Sequence, residues 1–308
     1  MKTILQKLGM LIAALLGSLS AYAYNFGVDG IYYDVVSLTD FTCRVTSGTE
    51  KYSGDIEIPS EVKYGNRTLS VTEIGSRAFY GCTSLTSVTI PDSVTEIGEY
   101  AFKGCSSLTS VTLPNSVTEI GEYAFCDCSS LTSVTIPDSV TYIVSGAFDG
   151  CSSLTSVTIP DSVTYIDGSA FFGCSSLTSV TIPDSVTYIN SYAFYGCSSL
   201  TSVTIPDSVT YIGNYAFVGC SSLVSIKLSD SLKSIRYGLF EDCKSLESLS
   251  IPGSVKEIYQ ELRNADCYTF ANCYKLKTLR IEYSPEELVA YYLDNNIYGW
   301  RDWTERGT

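Results

Sequence analysis

The chain has 308 residues, 45% of them apolar, and carries 33 acidic against 19 basic side chains, a net charge of −14. That balance argues against nucleic acid or an anionic membrane surface as the main partner, because both call for basic patches. There is no histidine, which excludes Ser-His-Asp and Cys-His catalysis and any zinc site built on imidazole.

Residues 1–23 read as a signal peptide. Lys2 and Lys7 supply the basic start, Leu8 to Leu19 the apolar run, and Ala21-Tyr22-Ala23 the cleavage site. Cleavage would leave Tyr24 first, and losing two lysines and no acids takes the net charge to −16. The run is short for a membrane span, and no later segment is apolar enough for one. The mature chain is expected to be exported, with no membrane insertion after cleavage. No cysteine lies near the cleavage site, so no lipid anchor is expected.

Residues 24–70 read as an N-terminal cap, an irregular first turn. Gly30 to Val36 and Phe41 to Val45 alternate as two strands, and Asp55 to Pro59 matches the Ser-Val-Thr-Ile-Pro segment that recurs further along the chain. An insertion runs from Lys63 to Thr68, and Asn66-Arg67-Thr68 forms a glycosylation sequon.

Residues 71–282 are repeats. One stretch, LTSVTIPDSVTYIDGSAFFGCSS at Leu154 to Ser176, recurs almost unchanged six times. Cys82, Cys105, Cys128, Cys151, Cys174, Cys197, Cys220 and Cys243 mark a strict 23-residue period. Such a period predicts a solenoid of about ten turns. The expected class is an α/β repeat solenoid of the leucine-rich kind, with short parallel strands and short helical turns. In the copy at Leu85, the apolar positions Leu85, Val88 and Ile90 predict a strand, which Pro91 ends. Asp92-Ser93 turns the chain. A short helical turn is expected around Ala101-Phe102, closed by Gly104 in the left-handed conformation. An isolated copy cannot offset its ordering entropy, so the copies must stack. Later copies drift. The one at Leu223 has Ser229 for the proline and Leu239 for the alanine, and the one at Leu246 has about seven extra residues within Tyr259 to Thr269.

Residues 283–308 read as a C-terminal helical cap. Ser284, Pro285 and Glu287 form a helix start with a capping box. Leu288, Val289, Tyr292 and Leu293, with Trp300 and Trp303, offer an apolar side to the open end of the core.

Each repeated position forms a column. The cysteines are expected to be buried thiols beside phenylalanine and leucine, although neighbouring turns stand within disulfide reach. Cys43, Cys126 and Cys267 lie outside the column, where a disulfide stays open. Phe79, Phe102, Phe125, Phe148, Phe171, Phe194, Phe217, Phe240 and Phe270 read as a core spine. Asp92, Asp138, Asp161, Asp184, Asp207 and Asp230 read as turn caps. A calcium ladder is the alternative, weakened because each turn offers one fixed acid and calcium wants six to eight oxygens. The strand face alternates Ser and Thr (Ser87 and Thr89 to Ser202 and Thr204) and reads as solvated, without the aromatic or arginine anchors of a hot spot.

Two tyrosine columns are the candidate partner-binding residues: Tyr142, Tyr165, Tyr188 and Tyr211 at one offset, Tyr100, Tyr123, Tyr192 and Tyr215 at another. Neither offset is a core position, and tyrosine is favoured at recognition surfaces. Lateral stacking that merely stabilises the array is the competing reading.

The pattern, with Ile205-Pro206, Ala216-Phe217 and Gly219-Cys220 as fixed points of one copy, resembles the BspA-like leucine-rich repeat family over about residues 56–282. The closing Gly299 to Trp303 also resembles flanks of such proteins. The resemblance implies a non-catalytic bacterial surface or secreted protein. It further implies adhesion to host proteins such as fibronectin and fibrinogen, and co-aggregation. No surface anchor or C-terminal sorting domain is recognisable. Two functions compete: an exported, adhesin-like protein-binding module, and a passive spacer or coat. An extracellular or host-surface protein partner, a monomer and no cofactor are expected. An enzyme is not expected, since there is no glycine-rich phosphate loop and no convergent carboxylate pair off the repeat.

Overall fold

The computed structural model describes residues 26–259 and 269–281. The expected signal peptide, most of the late insertion, and the segment 283–308 lie outside the described residues.

The chain starts with β1 (Phe26–Val28), β2 (Ile31–Ser37) and β3 (Thr42–Thr46), paired antiparallel in sequence. β4 (Gly54–Glu57) then runs parallel to β7 (Leu85–Thr89). β5 (Glu61–Tyr64) and β6 (Arg67–Ile74) form a hairpin that holds the 63–68 insertion, and β6 lies parallel to β3. Tyr33, Cys43, Val45, Leu69 and Val71 are fully buried across this meander, so it shares one core with the repeats.

From Leu85 the chain winds with two parallel ladders, the first of them interrupted at the Leu177 turn, where Ser179 to Thr181 form no strand. The first is the Ser-Val-Thr strand, stacked residue on like residue: Ser87 on Ser110, Ser133 on Ser156, Ser202 on Ser225. The second is a two-residue strand, Glu73-Ile74 on Glu96-Ile97 on Glu119-Ile120, then Tyr142-Ile143 through Tyr211-Ile212. Between them, Leu, Val, Ile, Ala, Phe and Cys point inward and are buried in every regular turn. The phenylalanine rings form a continuous stack with centroids 4.9 to 6.3 Å apart from Phe79 to Phe240.

The expected short helical turns are absent among the described residues. A helix needs consecutive N–H groups to bond four residues back. Here they alternate. Tyr100, Phe102 and Gly104 N–H donate to Glu122, Ala124 and Cys126 carbonyls of the next turn, while Ala101, Lys103 and Cys105 N–H reach three residues back. Tyr100 and Gly104 both have positive φ, 54° and 75°. The segment is thus a third inter-turn ladder made of tight turns, and it trades helical bonds for bonds between copies.

The turn after each strand also differs from expectation. Its aspartates are exposed, and the Val94 N–H donating to the Pro91 carbonyl closes the loop. Asp207 accepts from the Asp230 N–H at 3.0 Å. The serine beside each aspartate does the stitching. Ser93, Ser116, Ser162, Ser185 and Ser208 donate to the valine carbonyl of the preceding turn at 2.6 to 2.7 Å. In the drifted copy, buried Ser229 takes over this bond, donating to Val209 O at 2.6 Å and accepting from Ser231 N at 3.1 Å. Ser229→Ala is therefore expected to lose about 1–3 kcal/mol, the cost of orphaning buried partners. Ser162→Ala, in a regular and wetter turn, should lose about 1 kcal/mol. Urea midpoints of the two variants check the order, and equal midpoints would contradict it.

Glycine after the second-ladder isoleucine marks close approach of turns. A Cβ on Gly98, Gly121 or Gly213 would lie 2.3 to 2.5 Å from backbone of the preceding turn. Where a larger residue stands at this position after a glycine, at Val144 and Arg236, the ladder is interrupted. Among the described residues, Glu119-Ile120 does not pair with Tyr142-Ile143, nor Tyr211-Ile212 with Ser234-Ile235. The second ladder is thereby cut into blocks, and the central one is the four-strand block from Tyr142 to Ile212.

Candidate functional site

The first tyrosine column occupies that central block. Tyr142, Tyr165, Tyr188 and Tyr211 stand in direct register on adjacent strands. Their rings lie 4.5, 4.6 and 4.1 Å apart with interplanar angles of 7°, 8° and 8°. The ladder spacing of about 4.8 Å brings the rings almost into contact, so each side chain covers the face of its neighbour. Tyr142 is 41% exposed and the other three are half-buried. Burial, then the neighbouring phenol and Asp167, pushes the Tyr165 hydroxyl up to about 12. Burial also raises Tyr188.

The break at Arg236 completes it. The guanidinium lies 4.9 Å from the Tyr211 ring centroid and 4.8 Å from that of Tyr259, so it is held between two aromatic faces. At the other end the same offset carries Glu119, Glu96 and Glu73, stacked in register. Arg44 approaches Glu73 at 3.6 Å. Burial, then repulsion from Glu73 and Glu119, raises the Glu96 carboxyl above its ordinary range. One stripe therefore runs from acid through aromatic to cation.

The second tyrosine column is built differently. Tyr100, Tyr123, Tyr192 and Tyr215 have left-handed φ of 54°, 54°, 62° and 59°, as do Arg77, Ser169, Gly146 and Gly238 at the same offset. The position is a bend that any residue there must adopt at some cost. Tyr100 and Tyr123 stack at 5.4 Å, and Arg77 and Lys103 lie over the pair. Tyr192 and Tyr215 stack at 5.2 Å. Each pair ends on a glycine. A Cβ at Gly146 would meet the Tyr123 ring at 2.2 Å, and one at Gly238 the Tyr215 ring at 2.3 Å. These tyrosines roof the bend of the following turn, in two pairs divided by Gly146 and Ser169.

Sequence reasoning passed over Arg236, although an arginine at a position elsewhere Gly, Val, Asp, Asn or Tyr was the available signal. It also passed over Phe172 and Tyr195, stacked at 4.6 Å beside Tyr192.

The cysteine column is free and buried. Each thiol from Cys105 to Cys243 donates to the phenylalanine carbonyl of the preceding turn, as Cys105 to Phe79 O at 3.1 Å and Cys220 to Phe194 O at 3.3 Å. Burial pushes Cys220 up to about 12 and Cys82 to about 11. Thiolate, the reactive form, is then negligible at pH 8. Iodoacetamide at pH 8 is expected to leave the column unlabelled in the folded protein and to label it fully in denaturant. Cysteines found already blocked in denaturant would overturn the thiol assignment. Among the described residues, no three Cys, Asp or Glu side chains gather as metal ligands, and no helix is long and apolar enough to cross a membrane.

Residues 72–201 and 187–296 match the family described as BspA type leucine rich repeat region, in six copies. No curated protein matches the chain. Among solved structures, a leucine-rich repeat protein of T. pallidum is 32% identical over 64% of this chain and 90% of its own, with a TM-score of 0.57. A leucine-rich cell surface protein of Faecalibacterium prausnitzii A2-165 is 27% identical, over 90% of this chain and all of its own, at a TM-score of 0.45. A leucine-rich repeat protein of Bacteroides ovatus is 26% identical over 84% and 90%, at 0.40.

Proposed function

The chain belongs to the BspA type leucine-rich repeat family, and from that premise we propose that it is an exported, non-catalytic, adhesin-like binding module. It contacts host or neighbouring-cell proteins through the stripe centred on Tyr142, Tyr165, Tyr188 and Tyr211. The observation that carries the reading is this column: four in-register phenols ending on a clamped guanidinium, on a chain whose other strand face is Ser and Thr through the regular copies. Tyrosine and arginine are the residues that dominate binding hot spots. Export follows from the leader-like residues 1–23. The second column serves the fold, roofing the left-handed bends, and contributes area beside the stripe.

The test immobilises the mature chain against soluble matrix proteins and whole neighbouring cells. Replacing Tyr142, Tyr165, Tyr188 and Tyr211 with serine should weaken binding at least tenfold, since even one hot-spot side chain is worth about 2 kcal/mol. Circular dichroism checks that the ladders persist. A passive spacer, which the near-identity of the copies favours, predicts no binding by either form. Absence of any matrix or cell-surface ligand for the parent would sink the adhesin reading.

A further inference from the structure

We propose that Arg236 is an anchor for an isolated carboxylate, an Asp or Glu side chain presented by a protein partner that lies along the tyrosine stripe. The inference takes its setting from the binding-face reading above, but it stands on separate observations. Arg236 is clamped by two ring faces at 4.9 and 4.8 Å. It stands where Gly213 stands one turn earlier, and the ladder is interrupted at this step. Among the described residues no carboxylate comes within ion-pair distance of it. Glu257, paired with Ser234 on the adjoining strand, accepts from the Tyr259 hydroxyl. The Arg236 Nε is buried with no partner. Among the described residues, stacking and not hydrogen bonding therefore positions this group, and no carboxylate among them pairs with its charge.

A guanidinium held in a fixed plane has its fork of N–H donors pre-oriented for a carboxylate. Two features select the source. Stacking consumes the faces of Tyr165, Tyr188 and Tyr211, with Arg236 itself on the last. Between Tyr165 and Arg236 the column therefore leaves no open ring face on which a sugar could lie. The net negative charge repels polyanions over a Debye length but is small against one paired charge at contact. Together these favour a single acid set among neutral residues of a protein over a polyuronate chain.

The test uses the full mature chain and nuclear magnetic resonance of the Arg236 Nε–H. The probes are a blocked peptide with one Glu among Ser, Ala and Tyr, its Glu→Gln counterpart, and oligogalacturonate. The Glu peptide should shift the resonance with millimolar saturation, the Gln peptide should not, and the sugar should bind more weakly. In fluorescence titration with the same peptides, Arg236→Gln should abolish the difference between the two. Arg236→Lys should weaken the Glu peptide about tenfold by losing the fork. Dichroism confirms that both variants fold. No shift with the Glu peptide, equal shifts with both peptides, or preferred binding of oligogalacturonate each overturns the proposal. If matrix proteins bind the parent and Arg236→Gln alike, this anchor fails and the binding face stands. If the Glu peptide binds but no cell-surface or matrix protein does, the anchor stands and the adhesin reading fails.

Discussion

Phe171→Ala is expected to cost about 3–5 kcal/mol, the range for emptying a buried phenylalanine site. The ring has no exposure and lies 5.6 Å from Phe148 and 5.4 Å from Phe194. In a stacked array each turn touches only its neighbours, so the gap cannot be closed by collapse from elsewhere. The backbone around it is fixed by ladders, with the Phe171 N–H bonded to the Ala193 carbonyl at 2.8 Å. The loss sits mid-array and weakens the coupling between the two halves. Urea unfolding should therefore start earlier and broaden or split, departing from a single transition. A midpoint equal to that of the parent would refute the role given to the spine.

Gly121→Val should be comparably severe, although Val144 is native one turn later. A Cβ on Gly121 would meet Glu99 N at 2.4 Å and the Gly98 carbonyl carbon at 2.5 Å. These are backbone atoms that cannot swing away. The spine records the difference. Phe79, Phe102 and Phe125 are 4.9 and 5.1 Å apart where glycine follows glycine, and Phe125 to Phe148 opens to 5.6 Å where Val144 enters. Valine at 121 forces that opening one turn early, against the pairing of Ile120 with Ile97. Overpacking of this kind costs about 1–3 kcal/mol, and the lost pairing adds to it. Thermal unfolding of Gly121→Val and Gly121→Ala checks it. Both should fall below the parent, valine further, and a neutral valine variant would show that this approach is not tight.

Much of this was legible in the sequence because the period fixes register. Once Cys82 to Cys243 align, Leu85, Val88, Ile90 and Phe102 must lie inward in every copy, and Tyr142 must stack on Tyr165. What the sequence hid depends on where backbone donors go. Around Ala101-Phe102 the residues suit a helical turn, and only the alternation of bonds within and between turns decides against it. The Asp-Ser pair looked like an aspartate cap, but the smaller serine reaches the carbonyl of the turn before. The two tyrosine columns are chemically alike on paper. Their difference lies in φ, which residue identity alone does not set, although glycine at 146 and 238 hinted at it. Arg236 acquires meaning only when Tyr259, across an irregular copy, is seen on its far side.

Like residues stack on like, as Tyr165 on Tyr188 and Ser133 on Ser156. The array therefore behaves as an adjustable ruler. Excising one 23-residue copy between Tyr165 and Tyr188 would bring together surfaces already made for each other. The cut would keep the tyrosine ladder in register and shorten the distance from Glu119 to Arg236 by about 4.8 Å. Length can then be tuned by copy number without redesigning a single interface. The separation between the acidic and cationic ends of the stripe becomes a quantity that recombination between near-identical repeats can set in discrete steps.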